Sequence, residues 1–140
     1  MKSVLVIILF FTFGLTNYQV PAPGLFKIST FKNVPDEMMG CGDDCYLSEK
    51  DKKNDVLICR TDYASALIYL NNKPLVLKAD QTIKHESDEE TYRSGKYALI
   101  LKKVHKKKEG DEYYIFKGSI TVRLAEKIIF QQKITGDGGC

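Results

Sequence analysis

Alternation of apolar and polar residues with period two dominates the second half of this chain. Ile120, Val122 and Leu124 alternate with Thr121 and Arg123, and Ile128, Phe130, Gln132 and Ile134 keep the same period with Gln131 and Lys133 opposite. Such a pattern predicts strands with one wet face. Residues 56–60 and 65–70 are compact apolar runs, and Asn71-Asn72 stands directly before the strand pattern of 73–78. Consecutive asparagines tolerate the positive φ of a two-residue turn, so a hairpin is expected there. Pro74 beside that turn suits an edge or the start of a strand. Residues 80–90 are polar and acidic and read as a loop. A further strand begins at 97–101, residues 102–112 read as a charged hairpin tip around Glu109-Gly110-Asp111, and 113–116 return from it.

No stretch of about 11 residues beyond the N-terminal region carries apolar side chains at helical spacing. The expected fold class is therefore all-β: a small antiparallel meander of about 6–8 strands closed into a barrel or sandwich. Eight tyrosines and seven phenylalanines, some of them in the N-terminal run, are enough to fill its interior.

The N-terminal region behaves differently. Lys2 precedes an unbroken apolar run from Val4 to Leu15, 12 residues long. A membrane-spanning helix takes roughly 20, so the run fits the core of an export signal better. Residues 1–22 are read as a signal peptide cleaved somewhere in 16–22, leaving no stable membrane anchor and a protein that is periplasmic or secreted. Residues 23–55 hold Pro23, Pro35 and the segment Gly40-Cys41-Gly42-Asp43-Asp44-Cys45. They read as an extended arm with a Cys41/Cys45 loop and at most a short strand around 25–31. Residues 50–55 read as a polar turn, and residues 56–140 as the antiparallel β domain.

Composition narrows the picture further. Removing the leader leaves about 120 residues, one domain with a modest core. The formal net charge of +3 is close to balanced, and basic residues are interleaved with acidic ones, which argues against a nucleic-acid surface. Four cysteines, Cys41, Cys45, Cys59 and Cys140, make two disulfides the default in a small exported domain. Three pairings are open, and the preferred one joins Cys41 to Cys45 and Cys59 to Cys140.

Catalytic chemistry is poorly represented. His85 and His105 are the only histidines, and each lies beside a charged loop rather than next to a nucleophile. The Cys41–Cys45 segment offers thiolates and carboxylates, but a structural zinc site wants four converging ligands and no second cysteine or histidine pair accompanies it. The expectation is therefore no enzyme, no metal and no cofactor. The acidic run 86–90 and the basic residues Lys102, Lys103, Lys106, Lys107 and Lys108 read as solvated loops, either of which would attract an oppositely charged partner only at short range. Two places combine glycine with a projecting polar side chain: 92–97, with Ser94 and Gly95, and 114–119, with Lys117 and Gly118. Glycine permits a turn or bulge in each.

An early strand with Cys59, a hairpin before a lysine-bearing strand, Ser94-Gly95 with Tyr97, an aromatic strand leading into Lys117-Gly118, and Cys140 together resemble the periplasmic and membrane-bound inhibitors of C-type lysozyme. The resemblance covers roughly 57–140. It implies a small secreted β-barrel that binds a lysozyme-like glycosidase, with Ser94, Gly95, Tyr97, Lys117 and Gly118 at the interface and the Lys117 ammonium and Ser94 hydroxyl reaching the catalytic carboxylates. On that reading Ser94 and Lys117 lie on adjacent loops. The alternatives are a barrel holding an apolar or lipid-like ligand in a cavity lined by Leu99, Phe116, Ile120 and Phe130, and an envelope protein with a structural role.

Overall fold

The computed structural model describes residues 25–84 and 87–140. The expected signal peptide, 1–22, and His85 lie outside these residues.

Asn71 and Asn72 form the predicted turn, with φ of 51° and 62°. They join β4 (Ser65–Leu70) to β5 (Lys73–Ala79) in register from Leu70↔Lys73 to Ser65↔Lys78. In a two-residue hairpin the closing pair exchanges the backbone hydrogen bonds, and alternate pairs do not. Pro74, one residue on, therefore needs no donor toward β4, and its register partner there is Tyr69.

The remaining strands are β1 (Ile28–Ser29), β2 (Gly42–Tyr46), β3 (Cys59–Thr61), β6 (Glu89–Ser94), β7 (Tyr97–Lys108), β8 (Tyr113–Leu124) and β9 (Lys127–Gly139). All pairings are antiparallel. The order β4-β3-β2-β9-β8-β7-β6-β5 closes through β4–β5 into an eight-stranded barrel, with β1 added alongside β4. The all-β expectation holds, and closure removes the edges an open sheet of this size would expose.

Four local expectations are corrected. The segment read as a stapled loop, 40–45, is mostly β2, which lies between β3 and β9 inside the barrel wall, so the β domain begins at Gly42 rather than at 56. Residues 89–94, read partly as loop, form β6. The segment 50–55, read as a polar turn, is mostly α1 (Glu49–Lys53), one short helix whose N-cap Ser48 accepts the Asp51 N–H at 3.1 Å. The charged tip shrinks to 109–112, because β7 runs on to Lys108.

The barrel interior is filled by Leu99, Leu101, Ile120, Val122, Tyr92, Tyr114, Phe116, Ile58, Ile68 and Leu77, all essentially inaccessible. Each fully buried aliphatic side chain contributes roughly 1.5–3 kcal/mol. Two aromatic rings lie against the β9 backbone where side chains are missing. A Cβ on Gly136 would overlap the Phe116 ring, and one on Gly138 would overlap the Asp43 carboxylate and stand 2.8 Å from the Tyr114 ring. Outside the wall, a second cluster of Phe31, Met38, Tyr46, Leu57 and Leu67 seats the N-terminal arm on β2, β3 and β4. Arg60 pins that arm: its guanidinium donates to the carbonyls of Met38 (3.1 Å) and Gly40 (2.6 Å) and pairs with Asp44 at 3.1 Å.

The disulfide joins Cys41 to Cys140, 99 residues apart. The preferred pairing of Cys41 with Cys45 and Cys59 with Cys140 is thereby overturned. Gly42 pairs with Gly139 at the ends of β2 and β9, so the two flanking cysteines meet, whereas Cys41 and Cys45 are separated by the length of an extended strand. Cys45 and Cys59 are buried thiols.

Candidate functional site

The residues singled out in the sequence divide between two distant places. Ser94 closes the β6–β7 hairpin opposite Tyr97, with Gly95 in the turn at φ +55°. Tyr97 packs half-buried on the core. Lys117 stands in the middle of β8, exposed, opposite His105 on β7 and Thr135 on β9. Tyr97 pairs with Leu124, seven residues along β8 from Lys117, which is about 24 Å at 3.4 Å per residue. Ser94 and Lys117 therefore do not occupy adjacent loops.

Gly118 has a packing role. The register of β7 shifts between Lys103 and His105, and a Cβ on Gly118 would overlap the Lys102 carbonyl. The extra residue of this bulge, Val104, is 69% exposed. Lys103 follows Leu99 and Leu101 inward by strand alternation, and the bulge after it presents His105 outward beside Lys117.

What remains around Lys117 is a basic strip on the outer wall. Register places Lys102, Ser119 and Lys133 in one row and His105, Lys117 and Thr135 in the next. Lys102 pairs with Glu89 at 3.3 Å, and Lys107 at the end of the strip pairs with Glu109 at 2.6 Å. Among the described residues Lys117 and Lys133 make no ion pair. The strip is bordered by α1, where Thr135 donates to Glu49 (2.8 Å) and Lys52 pairs with Asp137 (3.0 Å).

The second concentration of charge lies inside the barrel, and sequence reasoning missed it. Lys103, read as part of a solvated basic run, has a fully buried side chain. Its ammonium pairs with Asp43 on β2 and with Glu90 on β6 (2.5 Å), and donates to the Tyr114 hydroxyl at 3.1 Å. Tyr92 donates to the other Glu90 oxygen at 2.7 Å, and Tyr114 donates to Asp43 at 2.5 Å. The Asp43 N–H donates to the Thr61 hydroxyl at 3.1 Å. Rings of Tyr114 and Phe116 flank the ammonium at 5.4 and 5.3 Å, within cation–π range. Tyr63, held at φ +64°, contributes its hydroxyl 3.4 Å from Asp43.

Burial raises the Glu90 carboxyl above its ordinary value, with Asp43 adding to the effect and Lys103 opposing it. Burial also works against the Lys103 ammonium, but Asp43 and Glu90 outweigh it and hold the lysine above its ordinary value. The phenols of Tyr92 and Tyr114 are pushed far up, chiefly by burial and next by Glu90 and Asp43 respectively. With one cation between two carboxylates, and each carboxylate oxygen met by a protein group, this cluster holds the wall together and offers a reactant no approach.

A pH dependence follows. The folded protein keeps the protons of Tyr92, Tyr114 and Lys103 at pH values where the unfolded chain releases them, from about pH 10 upward. Their contribution is fully present below pH 10 and is lost as pH rises, at ~1.4 kcal/mol per pH unit for each group protonated only in the fold. Urea midpoints are expected to fall steeply above about pH 10, with tyrosinate absorbance appearing together with loss of far-UV circular dichroism. Tyr92 and Tyr114 titrating smoothly in a still-folded protein would contradict this.

The chain matches no protein-family profile, no curated protein and no solved structure.

Proposed function

We propose that this chain is an exported, non-enzymatic binding protein that meets an acidic protein surface with the outer wall of β7, β8 and β9, Lys117 at its centre. The observation carrying this reading is the basic strip itself: Lys117 and Lys133 stand exposed on a rigid wall with no ion pair among the described residues, flanked by the Ser119 and Thr135 hydroxyls. Cations placed this way keep their full charge available to a partner's carboxylates, with no internal ion pair to break on contact. The resemblance to lysozyme inhibitors names a lysozyme-like glycosidase as the first partner to test, with Ser119 taking the neighbouring place that Ser94 does not occupy. Export rests on the apolar run of the first residues and agrees with a disulfide-bonded barrel.

The apolar-ligand reading has less support, since Leu99, Phe116 and Ile120 pack fully buried into one cluster with Phe130 against its side.

The deciding experiment is titration of the oxidised protein against a C-type lysozyme in a cell-wall lysis assay, with Lys117→Ala and Lys117→Ala/Lys133→Ala alongside. Binding is expected to weaken about tenfold or more in the double variant, a loss of ~1.4 kcal/mol or more, with Tm essentially unchanged because both side chains are exposed. Undiminished inhibition by the double variant removes the strip as the site. No inhibition by the parent protein at micromolar concentration removes the lysozyme as partner.

A further inference from the structure

Cys45 and Cys59 are register partners across β2 and β3. Both belong to the interior cluster and neither has accessible surface. Residues directly opposite in an antiparallel pair project from the same face with Cβ atoms about 4.5–5.5 Å apart, a little wider than the usual span of a disulfide and within reach of small side-chain and backbone adjustments. The neighbouring Cys59 thiol also raises the Cys45 thiol well above its ordinary value, with burial adding to the effect. The cluster they belong to is otherwise apolar, with Ile58, Ala66, Phe116 and Ile134 among its members.

We infer that Cys45 and Cys59 form a second disulfide, closed inside the barrel during oxidative folding. The same molecule already carries the Cys41–Cys140 bridge, so the conditions in which this fold is completed oxidise thiols. The co-reactant is a small-molecule disulfide such as oxidised glutathione, or the disulfide of a thiol-oxidising enzyme. One cysteine thiolate attacks that disulfide, releasing one thiol and leaving a mixed disulfide. The second cysteine thiolate then attacks the protein sulfur of that mixed disulfide and releases the second thiol. Two electrons pass from the cysteines to the co-reactant, and the two cysteine protons end on the released thiols.

Burial dictates when this happens. Exchange needs a thiolate and in-line access for a third sulfur. The closed barrel denies both, since the contact with Cys59 and burial push the Cys45 thiol well above its ordinary value. The bond therefore forms once β2 has paired with β3 and before the barrel closes over the pair, and afterwards it is shielded from reductants, in contrast to the bridge of Cys41, whose residue is exposed.

The test is to refold the fully reduced chain in a reduced/oxidised glutathione buffer, alkylate under denaturing conditions, and read the intact mass and the peptide map. The expected product has lost four hydrogens, carries no alkyl group, and maps to Cys41–Cys140 and Cys45–Cys59. A Cys41→Ser/Cys140→Ser variant, alkylated after the same refolding, separates the two bridges: it is expected to lose two hydrogens and to map to Cys45–Cys59. Refolded protein with alkyl groups on Cys45 and Cys59, in the parent or in the variant, overturns the inference, as does a map joining either residue to Cys41 or Cys140.

Discussion

Replacing Lys103 with Met is expected to destabilise the barrel by about 3–5 kcal/mol at pH 7, a large part of what a domain of this size possesses. The side chains are similar in length, so little packing is lost. What is lost is the cation that, among the described residues, alone pairs with both Asp43 and Glu90, both completely buried, leaving two carboxylates away from water without it. The variant also has a distinctive pH response. Glu90 already sits above its ordinary value because of burial and Asp43, and Lys103 is what restrains that shift. Without Lys103 the shift grows, and a carboxyl whose folded value is raised destabilises the fold above that value and ceases to do so when protonated. The stability gap between variant and parent should therefore narrow from pH 8 to about pH 4.5. A triple variant, Lys103→Met with Asp43→Asn and Glu90→Gln, should recover much of the loss, because no buried charge remains unpaired. Urea unfolding across that pH range checks both points. A pH-independent gap would show that Lys103 acts through its alkyl chain alone.

Opening the Cys41–Cys140 bridge is expected to have an effect of comparable size. Cross-linking residues 99 apart restricts the unfolded chain, and the loop-entropy relation gives about 4.7 kcal/mol at 25 °C for a loop of roughly 100 residues. The Cys41→Ser/Cys140→Ser variant should lose most of this and melt roughly 15–20 °C lower. Its urea m-value should rise, since the released unfolded chain exposes more surface. The β2–β9 ladder itself ends at Gly42↔Gly139, beside the bridge, so native contacts should change little. A loss below about 1 kcal/mol with an unchanged m-value would mean that the unfolded chain keeps these ends together without the bond.

Both predictions concern features invisible as local pattern, and the strands show why. β4, β5, the end of β8 and the middle of β9 were legible because apolar residues alternate within them or a turn dipeptide bounds them. β2 and β6 were not. Their inward positions include Asp43 and Glu90, so a reading that takes polar residues as solvent-facing assigns both segments to loops. Only Lys103, brought in from β7, makes those residues fit an interior. Lys103 was itself concealed in a run of lysines: it continues the inward alternation of Leu99 and Leu101, and the bulge after it breaks that alternation for the residues that follow. The candidate site was legible in part: Lys117 was singled out and is exposed, whereas its expected neighbour Ser94 is replaced by Lys133, Ser119 and Thr135, which cross-strand register supplies.

By itself, then, the amino-acid sequence determined the class of the fold and the position of its best-defined hairpin, because period two and the Asn71-Asn72 turn act over a few residues. Tertiary structure decided the rest. The location of β2 between β3 and β9 selects Cys140 as the partner of Cys41 and sets Cys45 beside Cys59. Closure of the barrel carries Asp43, Glu90 and Lys103 out of water together, and the pairing of β7, β8 and β9 assembles the basic strip. Each of these depends on contacts between residues far apart in the chain, for which local patterning carries no signal.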